Sequence, residues 1–431
     1  VLSVAQLLQE LIRFDTTNPP GNEAACIAFL QGLLEEAGCE TRIYEKEAGR
    51  PNLVSRISGG AAPPLLLQGH VDVVTTAGQA WTHPPFEGRL EDGFLWGRGA
   101  LDMKAGVAML VNAFVRAKRE GSELPGDLVL VVLSDEENGG NFGARYLVEE
   151  HPELFEGMRY ALGEFGGFTL YAGGKRFYPI QVGEKQICWL KATVRGAGGH
   201  GAMINRGGTV ARLGRFLADL DRKRLPVHVT PIVRETVEAI ASALPRHQAA
   251  VMRSLLKPRF ADGALRLLGA QAAMFEPMLR NTVNATIVRG GSKINVVPSE
   301  IEVELDGRAL PGFSPEQLIA ELQELAGPDI ELELVRHDPG PAAPDLGLFE
   351  TLAGVVRELD PEGIPIPLLQ IGVTDGRFFS QAGVQTYGFL PMRLPPDFAF
   401  AKLIHAADER IPVDALEFGA EAVWRAVQRF H

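Results

Sequence analysis

The chain has 431 residues, 46% of them apolar and 22% charged, which excludes disorder, collagen and coiled coil and leaves room for two or three domains. Its 54 acidic and 42 basic residues give a formal charge of −12, which argues against a nucleic-acid surface. Cys26, Cys39 and Cys188 lack CxxC spacing and fit reduced, buried thiols in a cytoplasmic protein. No apolar run reaches the about 18 residues of a membrane span. The start, VLSVAQLLQELIRFD, has neither the basic head nor the apolar core of a signal peptide, and beginning at Val1 fits a processed or trimmed chain.

Two helices are predicted first, Ser3–Phe14 with Ser3 as its cap and Asn22–Ala37 closed by Gly38. Asn52–Ile57 and Leu65–Gln68 read as strands, Lys104–Arg119 as a helix, and Leu128–Leu133 as a strand buried on both faces. This alternation predicts an α/β domain with a largely parallel sheet. The style then changes. Strands over Ile187–Arg195, Asn281–Arg289, Glu300–Leu310 and Ile330–Arg336, with helices at Gly208–Lys223 and Ser314–Leu325, give the β-α-β-β-α-β order of a ferredoxin-like α+β domain. A mostly helical stretch, roughly 226–278, interrupts it, and a helix over Leu346–Leu359 resumes the α/β style. The expected division is a discontinuous domain of residues 1–186 and 340–431 around an inserted domain of 187–339.

Open α/β sheets bind ligands beyond the carboxyl ends of their strands, and the reactive residues gather there. In LLLQGHVDVV, His70 and Asp72 follow a strand, and i, i+2 spacing lets Asp72 hold or orient the imidazole. Alone, such a pair is more often an ordinary structural hydrogen bond. WGRGALDMKAG brings Asp102, which by itself reads as a helix cap. LVLVVLSDEENGG ends a buried strand in Asp135, Glu136 and Glu137, like charges that repel unless a cation binds them. YALGEF adds Glu164, and AKLIHAADERIP adds His405 after a short apolar run. Together His70, Asp102, Glu137, Glu164 and His405 form a mixed nitrogen and oxygen ligand set suited to zinc, with cobalt or manganese as substitutes. One carboxylate of such a set can bridge two ions, and Glu136 beside a ligand is left to act as general base.

With these motifs the sequence resembles the co-catalytic zinc peptidase and amidohydrolase family that includes acetylornithine deacetylase, succinyl-diaminopimelate desuccinylase, aminoacylase and glutamate carboxypeptidase. GHVDVV, WGRGALDMK, SDEENGG, GEF, GGHGA, INVVPSE and IHAADERIP occur in the family's order along nearly the whole chain. The resemblance implies a zinc-peptidase-like catalytic domain with the inserted domain as a lid that mediates a homodimer. It implies His70 on one zinc, His405 on the other, Asp102 bridging, Glu137 and Glu164 one per zinc, Glu136 as general base and Asp72 behind His70. It implies that His200, otherwise a turn histidine among glycines, stabilises an oxyanion. Arg308 and Asn295 match substrate contacts, Arg308 toward a carboxylate, although a surface salt bridge is its ordinary alternative. Gly372 and Thr374 in IGVTDGRF offer further donors. The expected activity is hydrolysis of an amide bond in a small carboxylate-bearing substrate such as an N-acyl amino acid, with a dipeptidase or carboxypeptidase as the alternative and a non-catalytic metal-binding relative as the lesser one. The helical stretch at 226–278 departs from the shortest members of the family.

Overall fold

Leu7, Leu8, Leu11 and Ile12 recur at helical spacing and form the buried face of the helix Val4–Arg13. Ser3 starts that helix with a capping box, its hydroxyl accepting from Gln6 N while the Gln6 side chain accepts from Ser3 N. The structure, a computed structural model, describes residues 2–431. It divides into two units. One runs to Val182 and resumes over Pro344–Leu368 and Thr374–His431; the other holds Gly183–Ala343 and Leu369–Val373. The borders lie slightly outside those read at 187 and 339. Lys185 N donates to Gln370 O at 3.0 Å, which ties 369–373 to the second unit.

The first unit is built on one sheet whose central strands are parallel. Ala62–His70 pairs in parallel with Gly126–Leu133 and with Tyr160–Gly163, which in turn pairs in parallel with Gln385–Gly388. Antiparallel partners flank them, Pro51–Ile57 beside Gly126–Leu133 and Lys175–Glu184 beside Gln385–Gly388. Leu128 to Leu133 is buried throughout, as a continuous apolar run requires in a covered strand. The helix Lys104–Glu120 packs on this sheet and against the helices Val4–Arg13 and Val413–Val427. His70 lies in register with Leu133, so the residues following both strands emerge at one edge.

The second unit carries an antiparallel sheet in the order Thr282–Gly290, Glu300–Ala309, Gln186–Arg195, Ile330–Asp338. The helices Thr209–Arg222 and Pro315–Ala326 cover one face, burying Leu213, Phe216, Leu318 and Leu322 against Leu190, Val194, Val303 and Leu305. This is the ferredoxin-like arrangement. Its other face is a charge ladder, with Arg195 on Glu300 at 2.7 Å and Lys191 on Glu333 at 2.7 Å. The stretch at 226–278 forms the helices Pro231–Ala243, Arg246–Ser254, Pro258–Leu268 and Ala272–Phe275. Among the described residues no helix is long and apolar enough to cross a membrane.

Candidate metal centre

Parallel strands ending at one edge bring His70, the run after Leu133 and Glu164 together. Asp102 arrives from the glycine-rich loop after the strand Phe94–Trp96, with Met103 rather than Asp102 preceding the helix Lys104–Glu120. His405 follows the short helix Phe400–Leu403, not a strand, and sits at φ 61°. Ala401, Lys402 and Leu403 in its apolar run, AKLI, are good helix formers.

The Asp102 carboxylate has two faces. Its Oδ1 lies 3.3 Å from His70 Nε2, and its Oδ2 lies 3.3 Å from His405 Nε2. Glu164 Oε2 stands 3.5 Å from His70 Nε2, and Glu137 Oε1 stands 3.2 Å from His405 Nε2. Ligands about 2.0–2.1 Å from a tetrahedral ion stand about 3.3–3.4 Å apart, so each cluster has the spacing of a filled coordination edge. Glu136 is set back, with Oε2 at 4.0 Å from His70 Nε2, although it too lies among the groups that could reach an ion. Two buried atoms, His70 Nε2 and Glu137 Oε1, have no hydrogen-bond partner. Groups of this kind are rarely left so, and a cation in each cluster would satisfy them.

The charges tell the same story. Burial would lower the His70 pKa, but Asp102, Asp72 and Glu164 outweigh it and raise it well above the usual imidazole value. Asp102 and Glu137 push His405 up to about 10. Burial raises Glu137 to about 7, with the Asp102 charge adding to it. Burial and then the charge of Glu164 lift Glu136 well above the carboxylate range. Asp102 is held far below its ordinary value despite burial, chiefly by His405 and His70. A bound dication would invert this logic, favouring carboxylates and neutral imidazoles.

Asp72 stands behind His70 with both its main chain and its side chain. His70 Nδ1 is 3.0 Å from the Asp72 carbonyl oxygen and 3.4 Å from its Oδ1. The Asp72 carboxylate also accepts from the backbone N–H groups of Glu136 and Glu137, both at 3.1 Å, and from Asn18 Nδ2 at 2.8 Å. It therefore orients the turn that carries both acids. Asp135 points away from the cluster, accepting from Arg50 Nη2 and Asn18 Nδ2 at 3.1 Å, with Arg50 also held by Glu23 at 2.7 Å. That resolves the crowding of three successive acids.

Sequence reasoning passed over a second set of buried supports. Glu409 accepts from Arg98 Nη1 at 2.6 Å, Leu101 N at 2.7 Å and Asp102 N at 3.1 Å. Arg98 also donates to Ala406 O, and Gln79 Nε2 donates to His405 O at 2.8 Å, which fixes the turn at His405. Arg377 donates to Thr374 O at 2.6 Å and Gly139 O at 3.1 Å and stands 3.7 Å from Glu136 Oε1. All three, Arg98, Glu409 and Arg377, lay inside motifs already singled out, WGRGALDMK, IHAADERIP and IGVTDGRF. The missing signal was a charged residue flanking a ligand within a run that is otherwise buried. Thr374 is buried, and its hydroxyl accepts from Gly376 N at 3.0 Å.

The remaining site residues belong to the second unit. His200 is exposed on the short strand Gly199–His200, where its Nδ1 accepts from Ala202 N at 3.1 Å. Asn295 is on the facing segment, its carbonyl accepting from Gly201 N at 2.8 Å. Arg308 ends a strand of the larger sheet, donates through Nε to Asp306 at 2.8 Å, and has a buried Nη1 with no partner. The salt bridge weighed from sequence is thus present, and one donor remains for a further acceptor. Gly372 is half-buried in the segment 369–373.

Comparison with known proteins follows the same lines. The profile of "Peptidase family M20/M25/M40" matches residues 66–429. Porcine aminoacylase-1 is 27% identical over 428 residues, covering 94% of this chain and 89% of that protein. A metallo-carboxypeptidase of the M20 family from Sulfolobus solfataricus superposes with a TM-score of 0.69 at 16% identity, covering 99% of each chain. The YxeP protein of Bacillus subtilis, a dinuclear metal-binding M20 peptidase, gives a TM-score of 0.62 at 13% identity over 98% of this chain and 96% of that one.

Proposed function

We propose, for a chain that belongs to peptidase family M20/M25/M40 and so is a metal-dependent hydrolase of amide and peptide bonds, that it deacylates small N-acyl amino acids. The observation that carries the reading is the Asp102 carboxylate, with one oxygen 3.3 Å from each of two histidines. In this reading His70 and Glu164 would hold one zinc ion, His405 and Glu137 would hold the other, and Asp102 would serve both. Two such ions would supply Lewis acidity and a readily ionised water, which amide cleavage at neutral pH needs. Glu136 takes a proton from the attacking water and delivers it to the leaving nitrogen. Asp72 holds the backbone of Glu136, and Arg377 beside it offsets the crowded negative charge. His200 donates to the oxyanion as the carbonyl carbon becomes tetrahedral. Arg308, with an unpartnered Nη1, takes the substrate carboxylate, and Asn295 and Gly372 add polar contacts.

Homodimerisation through the second unit is part of the proposal. The edge strand Thr282–Gly290 leaves Ile287 and Val288 exposed, an edge that pairing with a second copy would cover. The buried free thiols support a reducing cytoplasmic setting. The test is mass-spectrometric turnover of N-acetyl and N-succinyl amino acids and of dipeptides by zinc-reconstituted protein, each with a chelated control. Chelator-sensitive release of amino acids from N-acyl substrates supports deacylation. Cleavage confined to dipeptides replaces it with a peptidase.

A further inference from the structure

We infer that an aromatic pocket beside Asp102 and Glu164 receives the acyl group of the substrate and limits it to a short apolar chain. The inference rests on the deacylase reading and adds the acyl class to it. Leu101, Phe165, Phe168, Leu390, Met392 and Phe400 wall the pocket, with Asp102 and Glu164 on its polar side, all within the first unit. Phe168 and Phe400 stack at 4.2 Å with 19° between their planes, and Phe165 meets Phe168 edge-on at 5.8 Å. The walls therefore brace one another. Phe165 has φ 66°, a left-handed backbone that bulky side chains seldom adopt. It directly follows Glu164, so the turn that aims the carboxylate also fixes the ring.

A scissile carbonyl placed at the centre beside Asp102 and Glu164 carries its acyl chain on the adjoining bond. The amine side carries a carboxylate, which the apolar aromatic walls would leave without partners. The acyl chain is the piece that suits the pocket. Free space there admits about one water-sized body. That accommodates a formyl or an acetyl group. Longer chains meet packed aromatic walls, which do not take up extra methylenes without strain.

The test compares wild type, Phe168→Leu and Met392→Ala, all metal-loaded. One substrate series carries formyl through hexanoyl on a single amino acid; a second carries one acyl group on several amino acids. Wild-type kcat/KM should fall about tenfold or more for each methylene beyond the fitted length. Both variants should move that break outward by about one or two carbons, with the amino-acid profile unchanged. Calorimetric titration of acetate through hexanoate into the same proteins reads the break without turnover. A break that shifts in binding while no substrate is cleaved keeps the pocket and overturns the deacylase reading. Chain-length profiles that stay the same in both variants, or a shift confined to the amino-acid series, overturn the pocket.

Discussion

Glu409 touches neither candidate ion position, yet replacing it with Gln should damage both the fold and the centre. Its side chain is fully buried against Arg98, itself 1% exposed, at 2.6 Å. The substitution removes the charge that compensates a buried guanidinium, and breaking a pair of this kind costs about 3–5 kcal/mol. The same carboxylate accepts from the N–H groups of Leu101 and Asp102, while Arg98 donates to Ala406 O beside His405. The backbone at Asp102 and the turn beside His405 thus depend on one pair. Groups that orient ligands in this way are worth about 10–100-fold in metal affinity. Urea unfolding of the chelated protein measures the first quantity, and calorimetric zinc titration measures the second. Arg98→Met with Glu409→Met should recover much of the stability, since no charge is left unpaired, while metal affinity stays low. A Glu409→Gln protein within about 1 kcal/mol of wild type, with unchanged zinc affinity, would refute the argument.

Glu136→Gln should lower turnover by about 10²–10⁴-fold while the protein still binds its metal, as elemental analysis beside the assay would reveal; near-normal turnover removes Glu136 as the base. Metal uptake should release protons, because Asp102 and Glu137 keep the free His405 protonated to about 10 and burial raises Glu137 to about 7. Apparent affinity should therefore fall as pH drops, and calorimetry in buffers of differing ionisation enthalpy reads the proton count. Lys185 is buried with Nζ on Pro277 O, Arg280 O and Thr282 Oγ1, and burial lowers its pKa to about 7. The folded state then binds fewer protons than the unfolded state between that value and the ordinary lysine value. Stability should rise with pH across that window, by at most about 1.4 kcal/mol per pH unit. Lys185→Met should flatten the slope, as denaturant midpoints measured across the window would reveal. Chelation should lower the melting temperature, since an ion at about 100 times its Kd stabilises the folded state by about 2.7 kcal/mol.

Periodicity and chain order made much of the architecture legible. The run Leu128–Leu133 marked a covered strand because every position is apolar, and Ser3 marked a helix start because its hydroxyl suits a cap ahead of an apolar periodic run. The strands of the second unit followed from their alternation. The strand pairings were not legible, since nothing local in Gln385–Gly388 says that it lies beside Tyr160–Gly163. At the centre, the acids after Leu133 were conspicuous because a buried strand seldom ends in three successive carboxylates. Their separation into Asp135 facing Arg50 and Glu137 facing His405 depends on partners distant in sequence. Arg98, Glu409 and Asn18 were hidden for the same reason. A buried polar residue looks like a surface one until its partner is known.

Titration of zinc into metal-free protein, with release of amino acid from its preferred substrate followed by mass spectrometry, tests the central claim most directly. The arrangement of His70, Glu164, Asp102, Glu137 and His405 predicts that activity rises to a plateau at two equivalents per chain and is abolished by a chelator. Full activity without metal, or a plateau of two bound ions with no amide cleaved across the substrate classes, would contradict it.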